Sequence, residues 1–282
     1  MAQILVTEPL HPEALDILKG TGDVVECLYP GERELLDLIH EAEALVVRSR
    51  TRVTRQVVEA GQCLRVIARA GAGVDNIDVE AATRRGILVV NAPGANTIAV
   101  AEHTLALILA LARRIPEADA SLRAGRWEKE RLEGVELMGK VLGLIGLGRI
   151  GSAVAQRAQA FGMQVVAYDP FVSVAHAEAL RVRLASLDEV LRESDFLSVH
   201  APATPQTRRL IGAAELAKMK PTARLVNCAR GGIVDEEALA RALREGRLAG
   251  AALDVFEEEP PTRSPPLTPP TAPHTPHPAG SP

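Results

Sequence analysis

Several features that would assign a chain to a particular class of protein are missing from this sequence. It has only three cysteines, Cys27, Cys63 and Cys228, and their scattered positions show no metal-ligand spacing. The most apolar stretch, 98–112, is too short and too interrupted to span a bilayer, and residues 1–7 are typical of a strand rather than a signal peptide. A formal net charge of −4 argues against binding to nucleic acid or to an anionic membrane surface. We therefore expect a cytoplasmic protein with no metal and no nucleic-acid or membrane partner.

What the chain does contain is a regular alternation of two patterns. Its 282 residues, 47% of them hydrophobic, are enough for two domains of ordinary size. Short apolar runs alternate with helix-length segments roughly every 20–25 residues, which is typical of a parallel sheet. A strongly apolar helix predicted over 97–114 separates two such regions and is expected to connect them. The sequence thus predicts α/β domains over 1–96 and 97–259, followed by a Pro-rich tail over 260–282 that holds ten of the 19 prolines.

The clearest functional pattern is a glycine-rich turn between two apolar runs of strand length. Gly146, Gly148 and Gly151 have the spacing G-x-G-x-x-G, and the helical pattern that follows leads to a second strand ending in Asp169. In such a unit the first glycine permits a tight turn, the second lets the backbone approach a pyrophosphate, and the third lets helix and strand pack closely. The N–H groups at the start of the helix attract the phosphate charge. The pattern predicts a dinucleotide site.

The acid at the end of the second strand also indicates which dinucleotide is bound. Asp169 can accept hydrogen bonds from both ribose hydroxyls, whereas it would repel a 2′-phosphate, and neither Pro170 nor Phe171 supplies a cation. NAD is therefore favoured over NADP. A glycine-rich turn that binds nothing is the alternative interpretation, but it leaves the acid unexplained.

Ligands of doubly wound sheets bind at the carboxyl ends of the strands. We expect one crevice to collect the following strand-end residues: Gly146, Asp169, Ala201, Ala229, Arg230 and Asp254. Arg230 could hold a substrate carboxylate in a bidentate pair, or it could form a structural ion pair. Taken alone, Glu259 belongs to a solvated acidic run, and His277 is an isolated histidine in the tail.

Four stretches between about Ile4 and Pro261 resemble the D-2-hydroxyacid dehydrogenases, most closely the branch of that family that acts on phosphoglycerate. They are ARAGAGVDNIDVEAATRRGILVVNAPGANTIAVAEHT, LMGKVLGLIGLGRIGSAVAQRAQAFGMQVVAYDP, LVNCARGGIVDEEALARAL and GAALDVFEEEPP. The resemblance implies two Rossmann-like, doubly wound parallel-sheet domains. The domain over 1–96 would be flavodoxin-like and bind substrate, and the domain over 97–259 would be a Rossmann domain that binds NAD.

The resemblance also implies roles for individual residues. The catalytic set would be Arg230, Glu259 and His277. Cofactor contacts would come from Gly146, Gly148, Arg149, Ile150, Gly151, Asp169, Ala201, Pro202, Cys228, Ala229 and Asp254. Substrate contacts would come from Arg48, Arg69, Gly73, Asn76 and Lys129, the last offered by a partner subunit. In this mechanism His277 exchanges a proton with the substrate hydroxyl, and Glu259 hydrogen-bonds the imidazole and raises its pKa. Asp254 would face the nicotinamide carboxamide.

The function implied by this resemblance is NAD-dependent oxidation of D-3-phosphoglycerate to 3-phosphohydroxypyruvate, a step of serine biosynthesis. The substrate would be a small anionic 2-hydroxyacid, and the enzyme would be a homodimer or a dimer of dimers joined through the helix 97–114 and the segment around Trp127. Reduction of glyoxylate or hydroxypyruvate, or another D-2-hydroxyacid dehydrogenase activity, is the alternative. A corepressor that senses NAD on the same scaffold is a third hypothesis, with no sequence signal for a peptide groove.

The C-terminal segment departs from the family pattern. Residues 269–274 read PPTAPH where the family has an apolar strand, and proline cannot pair inside a sheet. The sequence ends at Pro282, before the helix with which relatives complete the first domain. The segment therefore also fits a truncated or frameshifted relative that binds NAD with little or no turnover.

Overall fold

The computed structural model describes residues 2–261 together with Thr275 and His277. The chain divides into two compact units, Met1–Asn96 and Thr97–Pro282. The Pro-rich segment predicted over 260–282 lies outside the described residues, except for Pro260, Pro261, Thr275 and His277.

The first unit is a five-stranded parallel sheet with four helices in its connections. Its elements are β1 Gln3–Val6, α1 Pro12–Lys19, β2 Asp23–Glu26, α2 Glu32–Ile39, β3 Ala44–Val47, α3 Arg55–Ala60, β4 Val66–Arg69, α4 Val79–Arg84 and β5 Leu88–Asn91. The strand order is β2-β1-β3-β4-β5, and every neighbouring pair is parallel. This is the flavodoxin-like order, so the predicted fold class of this unit is confirmed.

Side-chain alternation along the strands gives this sheet two separate apolar layers. Leu5 belongs to one buried cluster, whereas its chain neighbours Ile4 and Val6 belong to another. Successive side chains of a strand point to opposite faces, so a strand that is apolar at every position must be covered on both sides. The sequence of β1 therefore favours a sheet sandwiched between layers of helices.

The second unit contains a six-stranded parallel sheet. Its elements are α5 Thr97–Ala112, α6 Ile115–Arg123, a 3₁₀ helix Lys129–Leu132, β6 Val141–Ile145, α7 Arg149–Ala160, β7 Gln164–Tyr168, α8 Val174–Ala179, β8 Arg183–Leu184, α9 Leu187–Glu193, β9 Phe196–Val199, α10 Ala213–Leu216, β10 Arg224–Asn227, α11 Glu236–Arg244 and β11 Gly250–Leu253. The order β11-β10-β9-β6-β7-β8 is that of a Rossmann domain, which confirms the predicted fold class. The order reverses between β6 and β9, so a ligand site is expected at their carboxyl ends.

The apolar helix predicted over 97–114 is shorter than expected. It ends at Ala112, and Arg114 adopts a left-handed backbone conformation with φ of 52° before α6 begins at Ile115. Proline occupies the first turn of α6, a position where its missing N–H costs nothing. The sequence prediction missed α6, and it also missed α8. Half of the residues of α5, eight of 16, are buried, and the helix packs against α7, β10 and β11.

Within the part of the chain that the structure describes, none of the helices is both long enough and apolar enough to cross a membrane.

Candidate active site

The glycine-rich turn lies at the carboxyl end of β6, where the strand order reverses. Gly146 has φ of 98°, and a Cβ there would lie 2.7 Å from the His200 carbonyl oxygen. A Cβ on Gly151 would lie 2.2 Å from the Gly146 carbonyl oxygen, so helix α7 touches the turn through bare backbone. A Cβ on Gly148, by contrast, would meet no atom of the described residues within 4 Å. The turn is therefore closed on the protein side and open where a ligand would approach the helix start.

The carboxylate of Asp169 holds this turn in place. Its Oδ2 accepts the Leu147 N–H at 2.8 Å, and its Oδ1 accepts the N–H groups of Phe171 and Val172 at 2.9 and 3.2 Å. A carboxylate has about four acceptor positions, so these three bonds leave capacity for a ribose hydroxyl. The bond to Leu147 was not predicted, because it links residues 22 positions apart through a backbone group.

His200 closes the inner side of the same turn and was not among the predicted site residues. Its Nε2 lies 2.9 Å from the Ser198 hydroxyl, and burial lowers the pKa of its imidazole to about 4. Its Nδ1 is buried without a hydrogen-bond partner among the described residues. Ala201 and Pro202 follow directly, with Ala201 half-buried and Pro202 exposed. The bare glycine turn and the open helix start fit a phosphate-bearing cofactor.

Two further groups of predicted cofactor residues lie at the start of α7 and at the end of β10. Arg149 is exposed at the first position of α7, and Ile150 packs partly on the core. At the end of β10 the Asn227 side chain accepts the Ala229 N–H at 3.0 Å and donates to the Arg230 carbonyl at 3.0 Å. Sequence reasoning overlooked Asn227, although an amide directly before a glycine-rich turn is a common turn-forming signal.

Arg230 lies in a turn that is pressed against the segment carrying Glu259. A Cβ on Gly231 would overlap the Phe256 carbonyl, so only glycine allows the two backbones to meet there. The guanidinium of Arg230 donates to the Ala229 carbonyl at 2.7 Å. Glu259 accepts the Phe256 N–H at 3.0 Å, which keeps this loop folded on itself.

The described contact of His277 is with Asp254, where the sequence predicted Glu259. The Nδ1 of His277 lies 3.0 Å from Oδ2 of Asp254, whose side chain is fully buried. This hydrogen bond raises the pKa of His277 above its ordinary value; the nearby charge of Glu259 acts in the same direction, and burial and Arg230 oppose it. Two of the predicted catalytic residues, Glu259 and Arg230, therefore influence the imidazole of the third, His277, whose direct hydrogen-bond partner is Asp254.

Asp254 is shared with a second histidine that the sequence did not indicate. Its Oδ1 lies 3.2 Å from Nε2 of His103 on α5, and it also accepts the hydroxyl of Thr275. The Thr275 N–H donates to the Leu253 carbonyl at 3.1 Å. Asp254 was expected to face the nicotinamide carboxamide; in the structure both of its oxygens are engaged by neighbouring side chains.

His103, Cys228 and Asp254 place three possible metal-ligand atoms within 4.8 Å of one another. Burial raises the pKa of Cys228 to about 12, so this thiol stays protonated at neutral pH. A metal would need the thiolate and would have to displace the hydrogen bonds of Asp254. The cluster is accounted for by hydrogen bonding.

The predicted substrate residues of the first unit gather around one loop at the end of β3. The Arg48 carbonyl accepts Nε of Arg69 at 3.2 Å and Nδ2 of Asn76 at 3.0 Å. The guanidinium of Arg48 donates to the Pro9 carbonyl at 3.3 Å. Gly73 lies in the β4–α4 loop between Arg69 and Asn76. Lys129, in contrast, is exposed at the start of the 3₁₀ helix of the second unit.

Comparison with known proteins identifies relatives over nearly the whole chain. Residues 105–279 match the family model described as the NAD binding domain of D-isomer specific 2-hydroxyacid dehydrogenases. D-3-phosphoglycerate dehydrogenase of Methanocaldococcus jannaschii is 53% identical over 278 residues, which are 98% of this chain and 53% of that protein. The chain spans about half the length of the curated relatives it matches.

Solved structures agree with the sequence relatives. A protein from Thermus thermophilus superposes with a TM-score of 0.90 at 42% identity, covering 99% of this chain and 90% of that one. D-lactate dehydrogenase of Aquifex aeolicus, solved with NAD and lactic acid, has a TM-score of 0.88 at 30% identity, covering 98% of this chain and 88% of that one.

Proposed function

This chain belongs to the D-isomer specific 2-hydroxyacid dehydrogenases, and from that premise we propose that it oxidises D-3-phosphoglycerate to 3-phosphohydroxypyruvate with NAD. The observation that carries the reaction type is the imidazole of His277, bonded to a buried carboxylate and influenced by Glu259 and Arg230. The choice of substrate is supported by the 53% identical relative, whose name specifies phosphoglycerate.

NAD would be held by the residues already described at the end of β6 and β7. The backbone of the Gly146–Gly151 turn offers N–H groups to its phosphates, and Asp169 offers a carboxylate to its ribose. Ala201, Pro202, Cys228 and Ala229, which follow the next two strands of the sheet, would line the rest of its path. The chemistry that bound NAD supplies is acceptance of a hydride from the substrate carbon.

The proton follows a route set by His277. Because Nδ1 is bonded to Asp254, the neutral ring carries its proton there and leaves Nε2 to accept the substrate hydroxyl proton. The imidazolium that forms is stabilised by Asp254 and by the charge of Glu259, which is why the pKa of His277 is raised. Acid–base catalysis of this kind contributes roughly 10²–10⁴-fold to the rate.

Orientation of the substrate is assigned to arginines. Arg230 would hold the substrate carboxylate as a bidentate pair, since the guanidinium fork matches two carboxylate oxygens. Arg48 and Arg69 of the first unit would bind its phosphate, with Gly73 and Asn76 in the neighbouring loop. Lys129 would act from a partner subunit.

The experiment is a turnover assay on the purified chain, with NAD for the oxidation of 3-phosphoglycerate and D-glycerate and with NADH for the reduction of glyoxylate and hydroxypyruvate. We expect NADH formation with 3-phosphoglycerate, lost in His277→Ala while NAD binding by calorimetry is unchanged. His11→Ala, at an exposed histidine preceding α1, is the matched control and should keep full activity. NAD binding without turnover in the unmodified chain would contradict the proposal and support a truncated, inactive relative.

A cytoplasmic homodimer, or a dimer of dimers, is part of the same proposal. The second unit exposes large apolar side chains around α6 and the 3₁₀ helix, among them Trp127 at 82% and Leu122 at 60% exposure. Burial of such side chains is a usual reason for subunit association. A monomer in analytical ultracentrifugation at micromolar concentration would contradict it.

A further inference from the structure

Glu8 follows the first strand and is almost completely buried, with 3% of its surface exposed. Its carboxylate accepts the N–H groups of four consecutive residues in the loop after β3. These are Arg48 at 2.9 Å, Ser49 at 3.2 Å, Arg50 at 3.1 Å and Thr51 at 3.0 Å. This acid therefore binds a single loop through four of its backbone groups.

The charge on Glu8 is maintained by these bonds. Burial alone would raise the pKa of the carboxyl, but hydrogen bonds from the loop N–H groups outweigh it and hold the pKa below its ordinary value. A second contact, between the hydroxyls of Thr7 and Thr51 at 2.9 Å, joins the same two segments. At neutral pH the loop therefore surrounds a fixed negative charge.

Carbonyl groups of the same loop accept hydrogen bonds from side chains on its other side. The Asn76 side-chain amide donates to the carbonyls of Arg48 and Thr51 at 3.0 and 2.7 Å, and Nε of Arg69 donates to the Arg48 carbonyl at 3.2 Å. The loop N–H groups thus point to Glu8, while carbonyls at its two ends point to Asn76 and Arg69. This arrangement leaves its backbone little freedom.

The loop carries three arginines at alternate positions, Arg48, Arg50 and Arg52. The Arg50 guanidinium lies over the Tyr29 ring, 5.2 Å from its centroid, and the residue is exposed. Glu8 and Arg48 closely follow β1 and β3, between which the strand order of this sheet reverses. Crevices at such switch points are where open α/β sheets bind ligands.

From this geometry we infer that Glu8 is a positioning residue that fixes the 48–52 loop and thereby sets the preference for phosphorylated over unphosphorylated 2-hydroxyacids. The inference rests on the proposed function, because it takes Arg48 of this loop and Arg69, which donates to the loop backbone, as the groups that bind the substrate phosphate. Glu8 itself would not touch the substrate. Its buried negative charge organises the backbone from which the guanidinium groups extend.

The test is Glu8→Gln, which keeps the shape of the side chain but replaces one acceptor oxygen by an NH₂ donor. That donor would face the N–H groups of the loop, so at least one of the hydrogen bonds between residue 8 and the loop must be lost. Glu13→Gln, at an exposed glutamate in the first turn of α1, is the matched control. We expect Glu8→Gln to lower the ratio of the affinities for 3-phosphoglycerate and D-glycerate roughly tenfold, the loss of about one charged hydrogen bond to phosphate. NAD affinity should be unchanged.

Two readouts separate this role from a general loss of structure. Hydrogen exchange at the amides of 48–51 should accelerate in Glu8→Gln and not in Glu13→Gln, while the thermal melt of both variants stays cooperative. The inference would be overturned if Glu8→Gln left the ratio of the two affinities unchanged, including by weakening both ligands equally. It would also be overturned if hydrogen exchange at the amides of 48–51 did not change. If the unmodified chain binds neither ligand, the proposed function fails instead, and amide exchange still decides whether Glu8 fixes the loop.

Discussion

Alanine at Gly148 and alanine at Gly151 should separate cofactor binding from folding, although the two glycines are only three residues apart. A Cβ on Gly151 would lie 2.2 Å from the Gly146 carbonyl oxygen, a backbone atom that can move only with the turn. Overpacking of this kind costs about 1–3 kcal/mol, sometimes more. At about 2–4 °C per kcal/mol for a chain of this size class, Gly151→Ala should lower Tm by roughly 2–12 °C.

Gly148 offers the opposite situation. Its φ of −73° and ψ of −158° are available to alanine, and no atom of the described residues lies within 4 Å of the added methyl group. Since Gly148 is the N-cap of α7, the only expected cost to folding is the poorer capping by alanine, up to about 1 kcal/mol. The methyl group would instead occupy the space through which a pyrophosphate approaches the helix start. We expect NAD affinity to fall about tenfold, equivalent to about 1.4 kcal/mol.

The assay combines thermal unfolding with calorimetric titration of NAD. Gly31→Ala is the matched control, because Gly31 is also an extended N-cap glycine whose would-be Cβ meets nothing within 4 Å in the described part of the chain. It should reproduce the stability change of Gly148→Ala without the loss of affinity. Wild-type NAD affinity in Gly148→Ala would refute the assignment of phosphate to this turn, and a wild-type Tm in Gly151→Ala would refute the close contact.

Three further predictions follow from named contacts. Asp169→Asn should weaken NAD binding in calorimetry and also lower Tm, because the amide NH₂ cannot accept the loop N–H groups that both carboxylate oxygens now accept; an unchanged Tm would contradict the contacts described. Cys228 should resist a thiol reagent at mildly alkaline pH under native conditions, because it is buried and its pKa is raised to about 12. The exposed Cys63 should react under the same conditions. Mass spectrometry of the labelled peptides distinguishes the two cysteines. The pKa of Glu8 is lowered in the folded state, so its contribution to the free energy of unfolding is present at neutral pH and is lost as the pH falls through that lowered pKa. Glu8→Gln should therefore lose less stability on acidification than the unmodified chain, in denaturation curves measured at several pH values. An equal loss of stability in the two proteins would exclude this contribution.

The fold could be predicted from the sequence because its signals are local and repeated. Each strand is a short apolar run, and the alternation with helices leaves a parallel sheet as the simplest solution. The sequence prediction missed helix α6, and this error has a local cause as well. Continuous apolar periodicity carried the predicted helix on to Arg114, whereas the break needed attention to Pro116, which marks a new helix start.

The geometry of the glycine-rich turn was predictable for a related reason, since the glycines and Asp169 lie within one strand–turn–helix–strand unit. The hydrogen-bond partner of His277 could not be predicted in this way. Glu259 and Asp254 are five residues apart in one loop, and both are acids that could serve an imidazole. Only the path of the backbone decides between them: β11 ends at Leu253, whose carbonyl binds the Thr275 N–H and so brings His277 beside Asp254.

Glu8 shows most clearly what side-chain patterns omit. Its partners are backbone N–H groups at least 40 positions away, and backbone groups are the same in almost every sequence. Asp169 uses the same device in the second unit, where a carboxylate after β7 accepts the Leu147 N–H of the neighbouring loop. In both units an acid that follows one strand fixes the loop that follows an adjacent strand. A ligand-binding loop at the end of a parallel strand has few backbone partners of its own, because its ladder has ended. An acid at the end of the adjoining strand can supply them, and we therefore expect such acids to govern loop geometry before they govern ligand contacts.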